Sequence, residues 1–239
     1  MAEVDNTNLL VCHLGVLDYR EALGLQERLR AARQAGAIDD TLLLLEHPPV
    51  YTRGRRSSPQ ELPMGEAWYR SQGIDIIDVD RGGRLTYHGP GQLVGYPIMA
   101  VTDVVGHLRT MESAIVAGLS EIGIDARARP QDGPDYTGVW VGEAKIASLG
   151  VHLSRAITTH GFAVNVENDL QPFEWVVACG LQDVRMTSVT KELGSAPPAG
   201  VTGFAELMAR QFAAALGRRQ TPITATALEL ALATSVALT

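Results

Sequence analysis

TGVWVGEAKIASLGVHLSRAITTHGFAVNVEN, residues 137–168, decides the fold class. Three segments of it, 137–143, 144–155 and 157–168, alternate apolar with polar or small residues. Period-two alternation sends successive side chains to opposite faces of a strand. Only short turns separate the segments, so they read as consecutive antiparallel strands. Working outward toward the N-terminus, residues 103–123 carry a helical pattern that stops at Gly123. Residues 81–101, RGGRLTYHGPGQLVGYPIMAV, read as a glycine-rich loop and then a strand broken or bulged at 89–91. Further out lie a strand at 74–79, a short helix near 65–72 and a continuous apolar strand at 41–46. The stretch 47–59, HPPVYTRGRRSSP, reads as an Arg-rich loop opened by two prolines. Residues 18–36 read as a helix, with Asp18 as N-cap, Glu21 three positions on and Gly36 as stop. A first strand occupies 9–15. Toward the C-terminus, 173–189 is a short irregular region and 204–216 a last helix. Such a mixture of helices with mainly antiparallel strands predicts an α+β single domain with a mixed sheet flanked by helices, not a doubly wound parallel sheet. The apolar tail from 220 to 239 holds one charge, Glu229, and its sequence does not decide between a docked helix and a loose end.

The bulk numbers bound the function. The 239 residues suffice for a sizeable core. Hydrophobic residues at 46% and charged residues at 20% suit a soluble globular protein. A net charge of −7 argues against general nucleic-acid binding, which needs clustered Lys and Arg. No basic-then-apolar leader is visible at the start, and no run of about 18 uncharged apolar residues occurs. Two cysteines do not make a disulfide framework. The expectation is a cytoplasmic protein, monomeric and off the membrane.

Of the 20 basic residues, 18 are Arg and two are Lys, Lys145 and Lys191. A lysine kept against that habit suits a task Arg cannot perform, losing a proton near neutral pH. Lys191 sits in the polar stretch TSVTKELGS and reads as a solvated surface residue. Lys145, between Ala144 and Ile146, reads as an edge-strand gatekeeper or as a partly buried amine. Of the cysteines, Cys12 lies inside an alternating strand and reads as a small buried hydrophobe. Cys179 ends the apolar run WVVAC before Gly180, where a thiol can face a cavity. A Cys–Lys pair resolves into thiolate and ammonium, which activates the thiol. The 81–91 loop lacks the Gly-Lys-Ser/Thr of a phosphate loop and does not fit the dinucleotide fingerprint; its glycines instead permit close backbone approach to a ligand.

Four blocks, RGGRLTYHGPGQ, GEAKIASLGVHL, HGFAVNV and ACGLQDVRMTSV, stand in this order, with LLEHPPVYTRGRR ahead of them. Together they resemble the signature blocks of the lipoyl(octanoyl) transferases of lipoate biosynthesis, over roughly residues 9–216. The resemblance implies the catalytic fold shared with biotin and lipoate protein ligases, over residues 1–219. It implies transfer of octanoyl from octanoyl-acyl carrier protein to a lysine of lipoyl domains, on 2-oxoacid dehydrogenase subunits and the glycine-cleavage H protein. The nucleophile then falls on Cys179 and the acid/base on Lys145. Substrate contacts fall on Arg81, Gly82, Gly83, Arg84, Leu85, Thr86, Tyr87 and His88, on Ser148, Leu149 and Gly150, and on Gly161, Phe162 and Ala163. No metal and no cofactor is implied beyond the phosphopantetheine that the acyl donor carries. An eight-carbon chain needs an apolar slot, and at about 0.8 kcal/mol per CH₂ its burial is worth roughly 5–6 kcal/mol. Arg53, Arg55, Arg56, Arg81 and Arg84 are candidates for a basic patch that docks acidic partners. Alternatives are an ATP-dependent ligase on the same fold, which needs no nucleophilic Cys, a non-catalytic acyl-binding or scaffold protein that keeps the fold, and a thioesterase with water as acceptor.

Overall fold

The computed structural model describes residues 7–177 and 184–236. In chain order its strands are β1 (Asn8–Val16), β2 (Thr41–Glu46), β3 (Val50–Arg53), β4 (Asp75–Asp78), β5 (Leu85–His88), β6 (Gln92–Ile98), β7 (Arg127–Ala128), β8 (Gly138–Val141), β9 (Ala144–Ser154), β10 (Ile157–Asn165), β11 (Arg185–Met186) and β12 (Arg219–Pro222). The helices are α1 (Tyr19–Gln34), α2 (Glu66–Ser71), α3 (Val104–Glu121), α4 (Gln171–Glu174), α5 (Val189–Leu193), α6 (Gly200–Ala215) and α7 (Ala225–Val236). The large sheet runs β12-β1-β2-β6-β10-β9-β8-β7, with β11 added beside β9. Its centre is antiparallel from β2 through β8, while β1 pairs in parallel with both β2 and β12. The expected α+β architecture with a mainly antiparallel mixed sheet is therefore present. Among the described residues no helix is long and apolar enough to cross a membrane.

Strand β2 shows why the sheet sits between two helical layers. All five residues Thr41–Leu45 are buried. Leu42 and Leu44 join the core under α3 and α6, and Leu43 and Leu45 join the core under α1 and α7. An apolar run without polar alternation is the signature of a strand covered on both faces. On one side α1 presents Ala22, Leu25, Leu29 and Ala32, spaced to form a single stripe. Asp18 caps it, its carboxylate accepting from the N–H groups of Arg20 at 2.8 Å and Glu21 at 3.3 Å.

One feature departs from the sequence reading, and a second settles an alternative it left open. Residues 50–53, read as part of an Arg-rich loop, form β3. It pairs in parallel with β4 and antiparallel with β5 in a separate three-stranded sheet. The prolines at 48 and 49 end β2 without preventing a new strand at Val50, because they precede its first ladder position. At 89–91 the strand is broken, not bulged, which decides between the two forms the sequence allowed. The chain leaves the small sheet after His88 and enters the large one at Gln92, turning through Gly91 at φ +86°, whose N–H donates to Glu46 Oε2 at 2.7 Å. The small sheet, with α2 and α4, encloses an aromatic core of Tyr51, Tyr69, Tyr87 and Phe173. The tail forms strand β12 at the sheet edge and helix α7 on α1.

Candidate active site

A cavity of about 330 Å³ opens between the glycine-rich loop, β5, β6, β9, β10 and the N-terminal part of α3. Its rear is built by close backbone contact. Gly82 N–H donates to Val151 O at 2.9 Å, which lays the glycine-rich loop along β9. A Cβ on Gly150 would stand 2.9 Å from Gly82 O, so only glycine allows that approach. Glu61, buried beneath the loop, accepts from Leu85 N–H at 3.2 Å and from Arg84 Nη1 at 3.3 Å. Arg81 is buried as well, its guanidinium donating to Thr52 O at 2.7 Å and Thr52 Oγ1 at 2.8 Å. The polar half of the loop is thereby held by named acceptors.

Lys145 is 2% exposed and lines the cavity. The burial answers the question left open by the sequence, because an edge gatekeeper would be solvated. Its Nζ lies 5.3 Å from the centroid of the Trp140 ring. The cation–π contact partly replaces lost hydration. Strand β11 covers the same stretch of β9, pairing Arg185 with Ala144 and Met186 with Lys145. Thr187 N–H donates to Lys145 O at 3.0 Å.

Cys179 lies outside the described residues. The chain on either side is fixed. Val177 N–H donates to Glu61 O at 3.1 Å, and Met186 is the register partner of Lys145. The other expected contact residues divide clearly. Arg81, Gly82, Gly83, Arg84, Leu85, Thr86, His88, Ser148, Leu149, Gly150, Gly161, Phe162 and Ala163 line the cavity with Lys145. Tyr87 does not. It packs against Tyr51 and Phe173 in the small-sheet core, on the opposite side of β5 from Thr86 and His88.

His88 is held by a chain of hydrogen bonds whose direction can be worked out. Gln92 Nε2 donates to Tyr87 O at 3.1 Å and to Asn165 Oδ1 at 3.0 Å, and Asn165 Nδ2 donates to Thr187 O at 3.0 Å. Gln92 Oε1 is therefore an acceptor, and the His88 nitrogen 2.8 Å away, Nδ1, carries the proton. The lone pair is left on Nε2. Burial, with His47 beside it, holds the His88 pKa well below the ordinary histidine value, so the ring is neutral.

Residues that the sequence did not single out complete the wall. Tyr19, Tyr96 and His160 add a second polar group. His160 sits within β10 at φ +58°, a left-handed conformation that costs of order 1–3 kcal/mol in a side chain-bearing residue. His160 Nε2 donates to Asp80 Oδ1 at 2.8 Å, so its Nδ1 accepts from Tyr19 Oη at 3.5 Å. The His160 contact draws the Asp80 pKa down to about 2. Val94, Val104, Leu108, Leu149 and Phe162 form the apolar part of the wall. Nothing in helical or strand period marks Tyr19 or Val104 as cavity residues, since chain segments far apart in sequence bring them together.

The expected basic patch is largely self-neutralised. Arg53 pairs with Asp78 and Glu66, Arg56 with Asp135 at 2.9 Å and Arg84 with Glu61, while Arg81 is buried. Arg55 alone of the five is exposed and outside any ion pair among the described residues. A docking surface for acidic partners would draw on Arg55 rather than on the set.

The family model described as lipoyl protein ligase A/B catalytic domain matches residues 18–213. Among solved structures, lipoate-protein ligase A with ATP bound superposes with a TM-score of 0.74, covering 96% of this chain and 94% of that one at 21% identity. That similarity establishes the fold. The chain thus belongs to the lipoyl protein ligase A/B catalytic-domain class. Within the class, the octanoyltransferase of Solibacter usitatus is 48% identical over 73% of this chain and 79% of its own length. The octanoyltransferase of Rubrobacter xylanophilus is 45% identical over 81% of this chain and 90% of its own. The protein is a member of the octanoyltransferase family, and so an acyltransferase.

Proposed function

We propose that this acyltransferase moves an octanoyl group from octanoyl-acyl carrier protein to a lysine of a lipoyl domain, through a thioester on Cys179. The acceptors are lipoyl domains of 2-oxoacid dehydrogenase subunits and the glycine-cleavage H protein. Carrying this reading is a buried lysine, Lys145, on the wall of a partly apolar cavity, register-paired with Met186 seven positions after Cys179. An amine in that position stabilises a neighbouring thiolate and takes up a proton when an amine nucleophile attacks. The thiolate displaces the pantetheine thiol of the donor, a thioester exchange that is near balance and needs no ATP. Attack by the acceptor lysine then forms an amide and runs downhill. The apolar wall around Phe162 and Val94 suits the alkyl chain, whose burial supplies roughly 5–6 kcal/mol at about 0.8 kcal/mol per CH₂.

Intact-mass spectrometry on protein mixed with octanoyl-acyl carrier protein, without ATP, tests the reading. A gain of one octanoyl group is expected, discharged by an added lipoyl domain. Cys179→Ser and Lys145→Arg should both remain unloaded, because serine lacks the thiol and guanidinium cannot give up a proton. Transfer that appears only with ATP and free octanoic acid would reject it in favour of a ligase.

A further inference from the structure

The proton balance of the thioester reading, on which this inference rests, calls for a group beyond Cys179 and Lys145. In loading, the Cys179 thiolate attacks the donor thioester, the C–S bond to pantetheine breaks, and the leaving thiolate takes the proton of the Lys145 ammonium. Lys145 is then a neutral amine. The acceptor lysine arrives as an ammonium at neutral pH. During its attack a C–N bond forms and the C–S bond to Cys179 breaks. One of its three ammonium protons stays on the amide nitrogen and two must leave. Lys145 takes one, which restores the ammonium beside the Cys179 thiolate. The second needs another acceptor.

We propose that His88 Nε2 accepts this second proton from the attacking amine and releases it to solvent when product departs. Three observations support the assignment. His88 lines the same cavity as Lys145. Its Nδ1–H is committed to Gln92 Oε1 at 2.8 Å by the Gln92–Asn165–Thr187 chain, which fixes the lone pair on Nε2. Nε2 makes no hydrogen bond among the described residues, the ring being held through Nδ1 alone. The other titratable groups of the wall are engaged: Tyr96 Oη with His47 Nε2 at 2.7 Å, His160 at both ring nitrogens, and Asp135 with Arg56. The neutral imidazole sheds its proton readily once the site empties, and the oxyanion of the tetrahedral adduct raises its basicity while the adduct lasts.

A thiol acceptor loses one proton, not two, and Lys145 alone accommodates it. The discriminating quantity is therefore the ratio of two discharge rates of the octanoylated protein, to the lipoyl-domain lysine and to N-acetylcysteamine, measured by intact mass. In His88→Asn the side-chain amide can still donate to Gln92, but nothing remains at the Nε2 position. His88→Gln keeps a hydrogen-bond acceptor there that cannot take a proton. Both variants should lower the amine-to-thiol ratio by about 10²-fold, the usual scale of a lost general base. Equal slowing toward both acceptors, an unchanged ratio, or restoration of the ratio by Gln would overturn the inference. A wild-type protein that forms no adduct would overturn the thioester reading and this inference with it, whereas a loading wild type with unselective variants overturns this inference alone.

Discussion

Lys145 keeps its side chain against Trp140 because Gly138, across the β8–β9 pairing, carries no Cβ. A Cβ there would stand 2.5 Å from Lys145 Cε and 2.5 Å from Ala147 O, and Gly138 holds φ +147°. Its N–H is also spoken for, donating at 3.0 Å to Glu112 Oε1, a buried carboxylate paired with Arg109. Neither the backbone carbonyl nor the buried glutamate can move far. Gly138→Ala should therefore push the lysine stem off its packing and strain the strand, at a cost of roughly 1–3 kcal/mol. We expect a urea midpoint shifted down by that amount and acyl loading slowed at least about tenfold. A variant that loads at the wild-type rate would show that the position of the Lys145 stem is unimportant. Cys12, by contrast, is fully buried between sheet and α1, and burial lifts its pKa to about 11. It is the inert thiol that its place in an alternating strand suggests.

At the scale of elements, what could be read from sequence was whatever a local period or a capping residue writes down. Strands β1, β9 and β10 and helices α1 and α3 have periods long enough to see, β2 shows as a continuous apolar run, and Asp18 caps α1 where expected. The separate sheet β4-β3-β5 was not legible, because β3 is four residues long and follows two prolines. Two-residue strands such as β7 and β11 carry no period at all; tertiary pairing creates them. Motif blocks located most of the cavity wall, yet Tyr87 was assigned with its neighbours although strand alternation sends it to the other side. The tail was undecidable for a related reason. Its strand β12 exists through pairing with β1, anchored by Arg219 N–H to Thr7 O at 2.9 Å and Ile223 N–H to Val11 O at 2.9 Å. Its helix exists through Leu228 and Leu232, both buried in the core under α1. Two buried leucines are worth about 1.5–3 kcal/mol each, and loss of β12 bares the backbone edge of β1. Deletion of residues 219–239 should lower the thermal midpoint by several degrees and raise light scattering on heating. An unchanged melt would mean that this end of the sheet is stable without its cover.

For the whole molecule, four buried histidines set the response to acid. His47, His88, His107 and His160 all have pKa values lowered chiefly by burial, to about 4 for His47 and His107. His47 and His88 stand ring to ring and titrate as a coupled pair, whereas His107 lies apart on α3 and adds to them independently. Neutral His47 donates from Nδ1 to Leu17 O and accepts from Tyr96 Oη, both at 2.7 Å; protonation of Nε2 reverses the second bond and leaves a charged ring in a buried site. His107 is buried on α3, and its Nε2 finds no acceptor among the described residues for the proton it would gain. The unfolded chain binds these protons near pH 6.5, the folded protein only near pH 4. Between those values the unfolded state holds more protons, so stability is full above about pH 6.5 and declines as pH falls toward 4. Each of the two groups contributes about 1.4 kcal/mol per pH unit in that window, roughly 3 kcal/mol across it. Urea unfolding at half-unit steps from pH 7.5 to 4.5 should show a flat upper region and a steep decline below 6.5. His107→Leu, which keeps an apolar side chain of similar bulk on α3, should lessen that slope by about one proton, close to 1.4 kcal/mol per pH unit. A His107→Leu slope equal to that of the wild type would assign the acid sensitivity to other groups and remove His107 from the sum.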